Sequence, residues 1–242
     1  MTRVSVVVPI HNAEANLFDL YFGIKEAMRA EGVDYEMILV NDGSKDGGAR
    51  ILDELSRSDK TVTAVHFDRH YGQAAAIRAG IQQSSGELIA LLDAGLQTDP
   101  KELFRLMPFI PKVDFISGKW TSRKGNWLNK LSWRTGNRIR NWITGEHFCD
   151  TTCPMKLFKR EVAESFYYFN GMPRFLPTLA RMNGFSVIEV SVTHTEAKRA
   201  GAKPDGRKPF YAGVVDALVV GWLKKRLVQY RKTGIPKRMP VI

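Results

Sequence analysis

The sequence predicts an α/β protein built on a mostly parallel, doubly wound sheet with flanking helices. Three observations carry this. Apolar runs rich in β-branched residues recur at positions 4–10, 35–40, 61–67 and 88–92, as strands buried on both faces require. Segments with helical spacing lie between them, giving β-α-β-α-β-α-β with short connections, the pattern of right-handed parallel crossovers. Two of the runs end on acids, Asp42 and Asp93. Open sheets of this class bind ligands at the carboxyl ends of their strands.

The elements follow in order. Val4-Ser5-Val6-Val7-Val8-Pro9-Ile10 is the first buried strand. His11 to Glu14 turn the chain, and Leu17, Leu20, Tyr21, Ile24 and Met28 recur at helical spacing until Gly32 stops the helix. The second strand runs into Asn41-Asp42-Gly43-Ser44. Ile51, Leu52 and Leu55 mark a helix, 61–67 a third strand and 72–83 an Ala-rich helix. The fourth strand ends on Asp93; Gln97 and Asp99 follow, and Pro100 opens a helix at its first position. A fifth strand is expected over 113–118. Residues 186–194 alternate, with Ile188, Val190 and Val192 on one face of a half-buried strand.

The last helix is expected over 210–232. Val215, Leu218, Val219, Trp222 and Leu223 lie towards one side, and Lys224, Lys225, Arg226, Arg231 and Lys232 gather at its end. This reads as an interfacial helix parallel to a membrane; the plainer alternative docks it on its own domain or a second subunit. The apolar stretch 214–223 contains Asp216 and falls well short of the roughly twenty residues that cross a bilayer, so no crossing is expected. The chain opens on a strand, so a signal peptide is not expected either.

With 242 residues, 44% hydrophobic and 25% charged, the composition is globular. The formal charge is +11, divided as −5 over residues 1–111 and +16 over 112–242. The second half therefore faces something anionic: nucleic acid, phospholipid head groups or a phosphorylated substrate. Residues 119–141 interleave Lys119, Arg123, Lys124, Lys130, Arg134, Arg138 and Arg140 with Trp120, Trp127 and Trp133. That mixture suits nucleic acid, a membrane surface, or a solvated basic helix with its tryptophans on the core. Nucleic acid is not expected, because the nucleotide-type strand ends belong to the other half. Lys198, Arg199, Lys203, Arg207 and Lys208 fall in a Gly/Pro/Ala-rich loop and suit a phosphate. Two cysteines exclude a disulfide framework. Cys149 and Cys153 with His147 lack a fourth zinc ligand, so packed thiols are expected.

A carboxylate with nearby oxygen donors, Asp93 with Gln97 and Asp99, suits a hard cation such as Mg²⁺ or Mn²⁺ that would hold a nucleotide diphosphate. The plainer reading makes Asp93 a turn residue and Asp99 a helix cap. Asp42 suits a base or ribose, and equally an ordinary Asp-Gly turn.

Val7-Val8-Pro9-Ile10-His11-Asn12, Val40-Asn41-Asp42-Gly43-Ser44, Asp93-Ala94-Gly95-Leu96-Gln97 and Asp150-Thr151-Thr152-Cys153, in that order and spacing, resemble family 2 glycosyltransferases with the GT-A fold. The nearest branch is the polyprenyl-phosphate glycosyltransferases, similar to dolichyl-phosphate mannose synthase and the undecaprenyl-phosphate sugar transferases. Asn137-Arg138-Ile139-Arg140, Met172-Pro173-Arg174-Phe175-Leu176-Pro177, and His194 with Lys203 match that branch. The resemblance implies an inverting, metal-assisted transfer of a sugar from a nucleotide diphosphate-sugar to a polyprenyl phosphate, by a peripheral protein on the cytoplasmic face of the inner or plasma membrane. It implies a donor pocket of Pro9, His11, Glu14, Asp42, Gln73 and Asp93, and a metal site at Asp93 and Gln97. Asp150 would lie by the donor sugar or the acceptor. Arg134, Arg174, His194, Lys198, Arg199 and Lys203 would hold the acceptor phosphate. Arg123, Arg134 and Lys203 join Asp93 and Asp150 as the catalytic set, since the task is to bring two anions together.

Residues 1–208 would then form the GT-A domain, with 1–111 as its nucleotide half and 112–208 as its acceptor half. Residues 209–242 would form a membrane-surface helix and tail, facing an anionic membrane, a second copy or a membrane-protein partner. The chain departs from the family pattern at Gly95, where the second Asp of Asp-X-Asp is usual, and at Gly201-Ala202-Lys203, where relatives tend to read Gly-X-Ser-Lys.

Overall fold

The computed structural model describes residues 3–121, 127–195 and 210–226, without side chains at 127–134 and 210–212. Its strands are β1 (Val4–Ile10), β2 (Tyr35–Asn41), β3 (Val62–His66), β4 (Leu88–Leu91), β5 (Phe115–Trp120), β6 (Lys156–Lys159) and β7 (Val187–Val192). Among the described residues they form one seven-stranded sheet in the order β3-β2-β1-β4-β6-β5-β7. The first four strands are parallel, β6 is antiparallel to both neighbours, and β5 and β7 pair parallel. The helices are α1 (Leu17–Ala30), α2 (Gly48–Ser58), α3 (Gln73–Gln83), α4 (Trp127–Thr144), α5 (Arg160–Glu164), α6 (Leu176–Met182) and α7 (Phe210–Arg226).

Alternation along β1 explains its apolar run, interrupted by Ser5, whose hydroxyl donates to Glu36 of β2 at 2.6 Å. Val4, Val6 and Val8 face a core with Leu20, Ile24 and Leu52, while Val7 faces a second core with Ile77 and Ile81. Every position of the strand's middle is therefore removed from water, and a polar residue there would lose its hydration.

Four features differ from the sequence expectation. The strand β6 interrupts the parallel order; it was hidden because it is four residues long and begins with Lys156, which is fully buried. The segment after Pro100 forms 3-10 turns over Pro100–Arg105 and Met107–Phe109 rather than an α-helix. On α4, Trp142 is 84% exposed, so it does not pack on the core, and Trp120, on β5, is partly buried against it; the side chains of Trp127 and Trp133 lie outside the described residues. Finally, α7 docks on its own domain. Ala217, Val220 and Gly221 are buried, and Gly221 lies so close to Ile143 of α4 that a Cβ would meet its carbonyl oxygen at 2.9 Å. Glu146, 1% exposed, fastens this contact by accepting from Lys224 of α7 at 2.6 Å and Arg181 of α6 at 2.5 Å. Val215, Leu218, Val219 and Trp222 remain exposed on the other side, while Leu223 packs on the core cluster. The helix is thus apolar on both sides, not one. Among the described residues no helix is long and apolar enough to cross a membrane.

Helix α3 sits on the sheet at Gly80, where a Cβ would lie 2.3 Å from Val7 Cγ1 and 3.2 Å from Val40 Cγ2. Gly80→Ala is expected to destabilise the protein by about 1–3 kcal/mol through overpacking, measured by denaturant unfolding. An unchanged midpoint would mean that α3 shifts off the sheet at no cost.

Candidate active site

In-register parallel pairing brings the carboxyl ends of β1, β2 and β4 to one edge. The loops there are knitted together by polar contacts. Asp42 is 2% exposed; its Oδ1 accepts from the Tyr71 backbone N–H at 2.7 Å and its Oδ2 from Gly72 N–H at 2.9 Å. His70 Nδ1 lies 2.9 Å from the same Oδ2. His11 Nδ1 lies 2.7 Å from the Asp42 carbonyl oxygen, and its Nε2 is 3.0 Å from Asn12 Nδ2. Together these contacts fit a neutral His11 that donates from Nδ1 and accepts at Nε2. The two imidazoles lie 4.2 Å apart between centroids. Glu14 is exposed and accepts from Gly47 N–H at 2.9 Å. Gly43 has φ +60°, and a Cβ there would strike the Arg69 and His70 backbone within 2.4 Å, so only glycine lets these loops touch. Asp42 thus holds the two loops together. Gln73 is exposed at the first position of α3, and Pro9 is partly buried in β1.

Asp93 follows β4. Backbone N–H groups of Gln97 and Gly95 reach its carboxylate, yet burial dominates and pushes its pKa up to about 6. Its Oδ2 is buried with no hydrogen-bond partner among the described residues. A Cβ on Gly95 would lie 2.8 Å from that oxygen, so glycine at 95 leaves the carboxylate its space. Leu96 has φ +51° and Asn12 φ +50°, and they are the non-glycine residues with left-handed backbone among those described. Strain at both loops of one edge is typical of a functional site. Asp99 is exposed and caps the following 3-10 turn, accepting from Lys101 N–H at 2.9 Å. The structure shows this capping role for it. Among the described residues no group of three or more His, Cys, Asp or Glu could hold a metal. An orphaned buried carboxylate oxygen with the Gln97 amide nearby fits one side of a cation whose remaining ligands come from a diphosphate.

The second half of the chain joins this edge through Trp120. Its Nε1 donates to Thr98 Oγ1 at 3.1 Å, and its ring packs edge-on against His194 at 4.6 Å. Thr195 N–H donates to the Gln97 carbonyl at 2.9 Å. Asp150 is 3% exposed. Its Oδ1 accepts from Thr152 N–H at 2.9 Å and Thr152 O–H at 2.7 Å, and its Oδ2 has Trp120 N–H at 3.5 Å. Asp93, Gln97, Trp120, Asp150 and His194 therefore belong to one connected region. Arg174 is exposed and reaches α7 beside Gly213. Arg123, Lys198, Arg199 and Lys203 lie outside the described residues, as does the side chain of Arg134. Cys149 is exposed and Cys153 buried, both free thiols; burial pushes Cys153 up to about 11.

Sequence reasoning missed His70, Trp120 and Glu189. Glu189 accepts from Cys149 N–H at 2.8 Å and Asp150 N–H at 2.9 Å. Its only signal was a charge on the polar side of an alternating strand. Arg140 was visible within its motif; it is 8% exposed, donates to Thr151 Oγ1 and, at 2.7 Å, to Asn141 Oδ1.

A sequence profile described as glycosyl transferase family 2 matches residues 5–166. The chain is 31% identical over 205 residues to the undecaprenyl-phosphate 4-deoxy-4-formamido-L-arabinose transferase of Proteus mirabilis, an alignment covering 84% of this chain and 63% of that protein. The chain thus spans less than two thirds of that relative's length. Among solved structures, mannosyl-3-phosphoglycerate synthase from Rubrobacter xylanophilus superposes with a TM-score of 0.67 at 16% identity, covering 98% of this chain and 79% of that one. Glucosyl-3-phosphoglycerate synthase from Mycobacterium tuberculosis, in complex with Mn²⁺ and UDP-glucose, gives 0.67 at 16%, covering 91% and 79%. At that identity the two structures establish the fold.

Asp93 sets a pH dependence. Its folded pKa of about 6 exceeds the ordinary value near about 4, so the folded state holds the proton longer. The stability of the metal-free protein is therefore expected to fall as pH rises from about 4 to about 6, by about 3 kcal/mol, and to level off above. Asp93→Asn should remove that loss. Chemical unfolding across this range, with both proteins in chelator, checks it; an unchanged slope in the variant would contradict it.

Proposed function

The chain belongs to glycosyl transferase family 2, and on that premise we propose that it transfers a sugar from a nucleotide diphosphate-sugar to a polyprenyl phosphate at a membrane surface. The observation that carries this reading is the connection of two unlike regions. A carboxylate at the end of β4, with an unpartnered buried oxygen, adjoins through Trp120 and Gln97 the segment that leads into a run of cations. The donor supplies a diphosphate and the acceptor a phosphate. An enzyme for that pair needs a cation-holding carboxylate on one side and cationic side chains on the other.

The donor's base and ribose would lie along the loops of His11, Asn12, Asp42 and His70, with the diphosphate towards Asp93. Asp93 and Gln97 would hold Mg²⁺ or Mn²⁺ together with diphosphate oxygens; such an ion neutralises the leaving group's charge. A phosphate monoester is largely dianionic at neutral pH, its second pKa being about 6, so attack needs no general base. Its oxygen forms a bond to the anomeric carbon as the bond to the nucleotide diphosphate breaks, inverting that carbon. Lys198, Arg199 and Lys203, with Arg123, Arg134, Arg174 and His194, would draw the acceptor phosphate in and offset the repulsion between two anions. Asp150 would orient the sugar or the acceptor.

A membrane-surface location is supported by the exposed stripe Val215, Leu218, Val219 and Trp222 on α7, with Lys225 and Arg226 exposed at its end. Apolar side chains flanked by cations suit an anionic bilayer. The P. mirabilis relative, whose name specifies undecaprenyl phosphate, supports the acceptor class.

Purified protein given undecaprenyl phosphate, Mg²⁺ or Mn²⁺ and a panel of radiolabelled nucleotide-sugars is expected to move label into the lipid phase. Chelator should abolish this, and Asp93→Asn should lower kcat/KM by about 100-fold or more. Binding of a nucleotide-sugar without transfer from any donor would favour a non-catalytic binding subunit. Transfer to a soluble glycan but not to the lipid would replace the acceptor.

A further inference from the structure

A row of polar side chains crosses the second half of the sheet at Ser117, Lys156 and Glu189. Ser117 of β5 is in register with Lys156 of β6 and with Glu189 of β7, so the three residues share one face. Lys156 and Ser117 are fully buried, and Glu189 is half-buried. Lys156 Nζ donates to Ser117 Oγ at 2.9 Å and to the Cys153 carbonyl at 2.5 Å. Glu189 accepts from the N–H groups of Cys149 and Asp150, one on each carboxylate oxygen. The row therefore grips the turn 149–153 at both ends, a carboxyl group taking its first two donors and an amino group taking its last acceptor. From the helical side, Asn137 of α4 donates to the Phe148 and Cys149 carbonyls at 3.0 and 2.9 Å.

We infer that Glu189 is a positioning residue for Asp150, setting the place of its carboxylate through the backbone of the turn, with Lys156 holding the turn's far end. The inference rests on the proposed function for Asp150's role at the reacting groups. A buried lysine is costly unless its charge is compensated; burial holds the Lys156 pKa below the usual lysine value, and Cys153, Asp150 and Glu189 offset that only in part. A structural need for volume alone would be met by an aliphatic residue. Only a carboxylate offers two acceptors to two adjacent N–H groups; a glutamine would turn its NH₂ against one of them. With Oδ1 of Asp150 engaged by Thr152, fixing the backbone aims Oδ2. Misplacing such a group by about 1 Å costs about 100-fold in rate.

Two measurements test this. Native-state hydrogen exchange reads the clamp itself. In Glu189→Gln the amides of Cys149 and Asp150 should exchange about tenfold faster or more, while those of β1 and β4 keep their protection. Unchanged exchange at 149–150, or an increase spread evenly through the sheet, would overturn the inference. Lys156→Met gives the second handle if Glu189→Gln does not fold; faster exchange is then expected from 150 to 153 alone. The kinetic test is a double-mutant cycle. Glu189→Gln should lower kcat by about 10–100-fold with the donor KM within about twofold, and adding it to Asp150→Asn should cost almost nothing more. Independent, additive losses would mean that Glu189 acts on stability and not through Asp150. If the unaltered chain transfers no sugar, the proposed function fails, and the exchange measurement still decides the clamp.

Discussion

Burial of the central strands on both faces is the constraint from which the rest follows. The middles of β1, β2 and β4 are fully or nearly fully out of water, so they hold no free ionisable group. Polar chemistry emerges only where these strands end. Parallel pairing then places the ends of β1, β2 and β4 side by side. Asp42 and Asp93 reach one edge because nothing else in the topology is open to them.

The two halves of the molecule meet this constraint differently. In the first half of the chain, loops carry the polar groups and tie them to one another through Asp42, His11 and Asn12. In the second half, ionisable groups lie inside the fold. Lys156 and Arg140 are buried basic side chains near Glu189 and Asp150, and burial lowers the pKa of both. Such buried ionic groups add little to stability. Their hydrogen bonds converge on one turn, so they act on geometry. Glu146 does the same for α7, fixing a helix that begins directly after the cationic run to the body that carries Asp150.

Much of this was legible in the sequence. The runs at β1, β2 and β4 announce themselves because burial on both faces removes all alternation, and Gly32 and Pro100 mark real boundaries. Asp42 and Asp93 were readable as strand-end acids. Lys156 concealed β6, because charge at a core position argues against a strand. Helix α7 read as amphipathic because apolar spacing does not separate a packed side from an exposed one; here both are apolar. Glu189 and His70 escaped because their partners are backbone groups or residues distant in sequence, Asp42 lying 28 positions before His70. Gly95 read as a missing ligand. In the fold it is also the residue whose lack of a side chain leaves room for the Asp93 carboxylate.

On the proposed function, the single carboxylate at the end of β4 would leave the remaining ligands to a donor, so the cation site would be completed only by the nucleotide. Titration of Mn²⁺ followed by electron paramagnetic resonance, with and without a nucleoside diphosphate, tests this directly. The account predicts weak Mn²⁺ binding to the protein alone, binding tighter by about tenfold or more when UDP or GDP is present, and loss of that gain in Asp93→Asn. Tight Mn²⁺ binding without nucleotide, or a gain that survives Asp93→Asn, would contradict it.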